Sequence, residues 1–240
     1  MKFINPKIDF AFKKIFGSEE SHDILVSFLN ALIYDGQPII ESLTIVNPYA
    51  PSRILALKES YLDVKAKLND GKLVIIEMQV LNVAAFEKRV IYNAAKAYAN
   101  QLEPSESYID LKPVIALTMT DFELFKGRDN AISHFIFQER EEKFEYKALE
   151  IELVFVELPK FKKQLEQLEN LTDKWIYFMK QAPQLESIPE QMKAVPQIDR
   201  AFRLANEANL NRQELADLEL QERLIRDRQG EVLFGLEVGL

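Results

Sequence analysis

The run Lys72-Leu-Val-Ile-Ile-Glu-Met-Gln-Val80 is apolar at almost every position, with Glu77 and Gln79 as its polar interior residues. A strand that is apolar on both faces must be covered on both sides, so this run predicts a central strand with layers above and below it. The run before it, Ser60 to Leu68, alternates residue by residue as a strand exposed on one face does. Asn69-Asp70-Gly71 separates the two, and Asp-Gly between strand-like runs is a strong hairpin signal.

The register of that hairpin decides what Glu77 meets, because side chains change face at every residue. A two-residue Asp-Gly loop sets Val64 opposite Glu77 and sends Asp63 to the other face. A three-residue Asn-Asp-Gly loop, with Gly71 in the left-handed position of a bulged turn, sets Asp63 opposite Glu77 and Tyr61 opposite Gln79. Directly opposed residues have Cβ atoms roughly 5 Å apart. Two carboxylates so close repel unless one is protonated or a cation lies between them. Mg²⁺, a hard cation that takes one or two carboxylates and completes its shell with water and phosphate oxygens, suits that place. A cation there activates water and stabilises charge on a phosphodiester under attack. The alternative is that both residues are ordinary strand carboxylates facing solvent; burial of Glu77 among Leu73–Ile76, Met78 and Val80 weighs against it.

The remaining chain reads as α/β. A short helix over Phe10–Phe16 ends at Gly17, and Ile24, Leu25, Phe28, Leu29 and Leu32 form a helical stripe behind it. Pro38 to Val46 reads as a first strand, and Pro113 to Met119 as one apolar on both faces. Between the hairpin and that strand, a helix from about Ala84 to Leu102 carries Arg89, Tyr92 and Lys96 on one face, either as a phosphate contact or as a solvated stripe. Runs at Ile132–Gln138 and Leu149–Glu157 extend or cover the sheet, and Pro159 closes the second. Prolines 183, 189 and 196 punctuate a linker, and Gln197 to Arg228 reads as one long charged helix, with a frayed glycine-spaced end after it. The pattern predicts an αβββαβ core with a helical appendage.

Composition narrows the function. The chain of 240 residues has no cysteine, which removes disulfides and thiolate metal sites and suits a reducing cytoplasm. No stretch approaches the length of a bilayer span, and Met1 to Lys7 lacks the apolar run of a signal peptide, so a cytoplasmic location with no membrane partner is expected. Only seven glycines are present, and none forms a phosphate-cradling loop. His22 and His134 stand far apart, with no nucleophile paired to either. A net charge of −8 argues against a dedicated nucleic-acid-binding surface, although Lys2, Lys7, Lys13 and Lys14 gather before Gly17.

Taken in order, Ile8-Asp-Phe-Ala-Phe-Lys-Lys-Ile-Phe-Gly17, Leu62-Asp-Val-Lys-Ala66, Ile76-Glu-Met-Gln79, Arg89 with Tyr92, Tyr98-Ala-Asn-Gln-Leu102 and Glu157-Leu-Pro-Lys-Phe161 resemble the Rpn-type recombination-promoting nucleases. These are transposase-related members of the PD-(D/E)XK superfamily. The resemblance covers roughly residues 1–180. It implies a restriction-endonuclease-like mixed sheet flanked by helices over 1–180, to which the stretch over 181–240, by its own length and composition, is expected to add a helical extension. It also implies a Mg²⁺- or Mn²⁺-dependent DNA endonuclease, linked to recombination, mobile elements or phage defence. Asp63 and Glu77 then fill the two acidic metal-binding positions, and Gln79 stands where the superfamily has lysine. An amide orients water but brings no positive charge, so Lys65, two residues on from Asp63, is the expected source of it. Asp9 and Lys13 are expected at the edge of the site, Arg89, Tyr92 and Lys96 at the substrate, and a homodimer through the C-terminal helices. The competing reading is a catalytically idle descendant that binds DNA or a partner, with Gln79 marking lost chemistry.

Overall fold

The computed structural model describes residues 1–46, 64–148 and 150–237, with side chains through residue 230. The α/β reading holds. Helices α1 (Asp9–Phe16) and α2 (His22–Ile33) precede strands β1 (Leu43–Ile45), β2 (Val64–Leu68) and β3 (Leu73–Gln79). Helix α3 (Phe86–Ala99) crosses to β4 (Val114–Thr120), and β5 (Ile132–Phe135) and β6 (Ile151–Glu157) complete a six-stranded sheet ordered β1-β2-β3-β4-β6-β5. β3, β4 and β6 run parallel, and the other pairs are antiparallel. The αβββαβ core is therefore present, on a mixed sheet with helices on both faces.

Alternation along β3 explains its apolar run. Val74, Ile76 and Met78 enter the main core with the aromatic rings of α1 and α2, while Leu73 and Ile75 face the other way, onto Ala94 of α3. Gly71 has φ +90°, and its N–H bonds the Leu68 carbonyl at 2.9 Å. β2 and β3 pair Val64 with Ile76 and Lys67 with Leu73, which is the register of the three-residue loop. The first strand is shorter than the run from Pro38 predicts, and Asn30 explains part of this. Its side chain bonds both the N–H and the carbonyl of Ile40, at 2.8 and 2.9 Å, so that stretch is tied to α2.

The C-terminal region departs from the expected appendage. Helices α4 (Leu171–Gln181), α5 (Glu190–Lys193), α6 (Pro196–Leu204) and α7 (Arg212–Glu237) follow the sheet. Met192, Ile198, Ala201, Phe202 and Ala205 are fully buried in the same core as Phe3, Phe16 and Trp175. The boundary expected at 180/181 thus has no counterpart in the packing; the prolines cap short helices that turn back onto the core. The single helix expected over Gln197–Arg228 is two, broken where the Asn206 side chain accepts the Ala208 N–H at 3.2 Å. Leu204 ends the first of these helices, and Leu215 and Leu218 belong to the second. α7 continues to Glu237, through the end expected to fray.

Candidate active site

Glu77 and Gln79 lie at the carboxyl end of β3, beside the carboxyl ends of the parallel strands β4 and β6. This edge is where open parallel sheets present ligand-binding groups. Both residues are on the α3 side, since they share a face with Ile75. Glu77 is only 6 % exposed. Arg89 of α3 reaches down to it: Arg89 Nη2 donates to Glu77 Oε1 at 2.6 Å and to Gln79 Oε1 at 2.6 Å. Gln79 Nε2 donates to the Leu81 carbonyl at 2.6 Å, so the amide is fixed with its oxygen turned into the site. Burial pushes the Glu77 carboxyl above its usual range, while Arg89 and Asn93 pull the other way. A cavity of about 10 Å³, room for one water, lies between Glu77, Asn93, Val90 and Thr118.

What positions Arg89 is traceable. Its guanidinium carbon stands 5.4 Å from the Phe86 ring centroid, and that ring packs edge-on to Phe122 at 5.7 Å. The loop carrying Phe122 is clasped by Glu157, which is fully buried at the end of β6. Glu157 accepts the N–H groups of Leu124 and Phe125 at 2.6 and 3.0 Å and pairs with Lys160 at 2.5 Å. The sequence marks Glu157 as a strand end and as the first residue of the Glu157-Leu-Pro-Lys-Phe161 motif, with no role at the site. Asn93 was also missed; its i, i+4 relation to Arg89, between the apolar Val90 and Ala94, was the available signal.

The other expected residues fall into separate places. Asp63 lies outside the described residues. Lys65 pairs with Ile75 across the hairpin and so shares the Glu77 face. Asp9 and Lys13 bond each other at 2.7 Å on α1, whose buried rings occupy the sheet face opposite α3. Tyr92 and Lys96 are exposed on the outer side of α3, with the ammonium 6.0 Å from the ring centroid, so only Arg89 of the three turns inward. The N-terminal lysine group is neutralised pair by pair: Lys2 with Glu207 at 2.7 Å, Lys7 with Asp121 at 2.7 Å and Lys14 with Glu214 at 2.5 Å, beside the Lys13 pair. A larger cleft of about 430 Å³ lies between Lys7, Asp121 and Val80 and α7 residues Glu222, Ile225 and Arg226; Glu77 and Gln79 do not line it.

Among the described residues no three carboxylate or imidazole groups converge as a complete metal cluster would. The donors that do converge, one carboxylate and one amide oxygen on a single cationic nitrogen, are hard oxygens of the kind that Mg²⁺ and Mn²⁺ prefer. No helix among the described residues is long and apolar enough to cross a membrane. A sequence model of the family described as PD-(D/E)XK nuclease family transposase matches residues 6–233. Neither a curated protein nor a solved structure gives a match.

Proposed function

Because the chain belongs to the PD-(D/E)XK nuclease family transposases, matched over nearly its whole length, we propose that it is a divalent-metal-dependent DNA endonuclease working at the carboxyl end of β3. One observation carries this reading. The Glu77 carboxylate and the Gln79 amide oxygen lie 2.6 Å from the same cationic nitrogen, so both are already aimed at a cation position. Asp63 is proposed as the partner carboxylate; the pairing of Val64 with Ile76 is the register that this role requires.

Bound Mg²⁺ or Mn²⁺ would supply an acidified water and charge stabilisation at the phosphate. The chain's own residues do the rest. Glu77, and with it Asp63, holds the ion. Gln79 gives one N–H to the Leu81 carbonyl, which turns its oxygen into the site, where it serves as a metal ligand or as an acceptor that turns a water's lone pair toward phosphorus. Lys65, on the same sheet face, supplies positive charge beside the scissile phosphate. Tyr92 and Lys96 lie along the outer side of α3, where a duplex backbone can run.

The test is supercoiled plasmid incubated with purified protein, with and without Mg²⁺ or Mn²⁺, beside Asp63→Asn and Glu77→Gln. Metal-dependent nicking by the wild type, lost in both variants with circular dichroism unchanged, is expected. Wild-type rates from either folded variant would place the chemistry elsewhere. A second reading, the idle binding descendant, draws on the same contact: Arg89 already balances Glu77, as in a site that no longer takes metal. No nicking at any metal concentration, with metal binding also absent, would favour it.

A further inference from the structure

Arg89 comes from α3, whereas the two oxygens it bridges come from β3. Both contacts are short and charge-assisted, at 2.6 Å, and Phe86 braces the guanidinium on a third side. Gln79 is pinned from behind by the Leu81 carbonyl, so its oxygen keeps its aim. The Arg89 side chain is 26 % exposed against 7 % for Glu77. The carboxylate is therefore fixed in the interior, while the cation sits on a long side chain at the solvent margin. It can swing outward without opening the core.

Resting on the nuclease reading, we infer that Arg89 is the resident cation of this site and the direct competitor of the divalent metal. Its Nη2 holds the position between Glu77 and Gln79 and leaves it when metal enters. Nη2 stands 2.6 Å from both Glu77 Oε1 and Gln79 Oε1, so an ion held by these two oxygens together takes its place, and metal loading through this pair and release of Arg89 are one event. Removing the guanidinium takes away both the competing hydrogen bonds and a like charge beside the ion, and both effects tighten metal binding. A charge-assisted hydrogen bond is worth enough that its loss shifts an equilibrium by at least about tenfold.

The experiment measures Mn²⁺ binding by electron paramagnetic resonance on the full chain at pH 8. Arg89→Gln is expected to bind Mn²⁺ at least about tenfold more tightly than wild type, and Lys88→Gln, at the exposed neighbour, to match wild type. Equal or weaker binding by a folded Arg89→Gln overturns the inference, as does no Mn²⁺ binding by either protein. Should Arg89→Gln fail to fold, the wild type decides. Modification of Arg89 by phenylglyoxal, read by peptide mass spectrometry, should quicken with Mn²⁺; an unchanged or slower rate overturns the inference. Plasmid nicking separates the two claims. Tighter Mn²⁺ binding with no cleavage sinks the nuclease reading alone, and cleavage with unmoved Mn²⁺ binding sinks only the role of Arg89.

Discussion

Phe202→Ala removes a fully buried ring of α6 whose centroid lies 5.1 Å from that of Phe3 and 4.7 Å from that of Phe178, edge-on to the latter. Those partners come from the two ends of the core, before α1 and in α4, so truncation leaves a void that neither can fill. Buried Phe→Ala changes cost about 3–5 kcal/mol, a large share of the roughly 5–15 kcal/mol that holds a domain folded. In a chain of this size each kcal/mol moves the melting temperature by about 2–4 °C, so a fall of about 6–20 °C is expected in a single calorimetric transition. Leu224→Ala, at a half-exposed position on α7, is the control and should shift melting by no more than about 2 °C. An unshifted, cooperative melt for Phe202→Ala would refute the single-core account and restore the helices after residue 181 as an appendage. A chain ending at Pro183 makes the same point more bluntly: it should be insoluble or molten.

The remaining expectations concern the site and its hairpin. Burial raises the Glu77 carboxyl above its ordinary value of 4.5, so between that value and its folded one the unfolded chain is ionised while the folded chain keeps its proton. Metal-free stability should therefore fall as pH rises through that window, and urea midpoints for Glu77→Gln should lack this component; a wild type gaining stability over the variant there would contradict the assignment. Gly71→Ala forces a side chain into φ +90° and should cost about 1–2 kcal/mol by urea unfolding, and no measurable loss would mean that the turn relaxes. Gln79→Lys should reduce nicking, because its ammonium meets the Arg89 guanidinium. Adding Arg89→Gln should recover part of the loss, and simple additivity of the two changes would refute the clash.

Much of the core could be read from the chain because its signals are local. The two-sided apolar run at Leu73–Gln79 marks a covered central strand and Gly71 marks the turn, but Asp-Gly suits a two-residue loop as well as a three-residue one, and the strand pairing decides between them. The reading failed where a decision belonged to partners distant in sequence. Nothing near Phe202 reveals that it packs on Phe3, and a charged, Leu-rich stretch after three prolines looks the same whether it docks or dangles. The break at Asn206 was equally hidden, since an asparagine cap counts only when the chain turns. Arg89 was placed correctly on its helix, but the reach of its side chain into the site depends on Glu77 waiting beneath it. The lysines before Gly17 looked like a basic patch because their carboxylate partners, Asp121, Glu207 and Glu214, are far along the chain.

The join between the beginning and the late part of the fold sets a schedule for synthesis. Ile4 N–H bonds the Ala205 carbonyl at 2.8 Å, Glu207 N–H bonds the Lys2 carbonyl at 2.9 Å, and Phe3 bridges to Asn206. At roughly 5–20 residues per second, about 200 residues take on the order of 10–40 s to translate. For most of that interval Phe3 and Ile4 are outside the ribosome without the α6 surface that covers them. The growing chain must carry this apolar stretch uncovered until α6 is made, which gives a chaperone a defined segment to hold and a defined moment to let go.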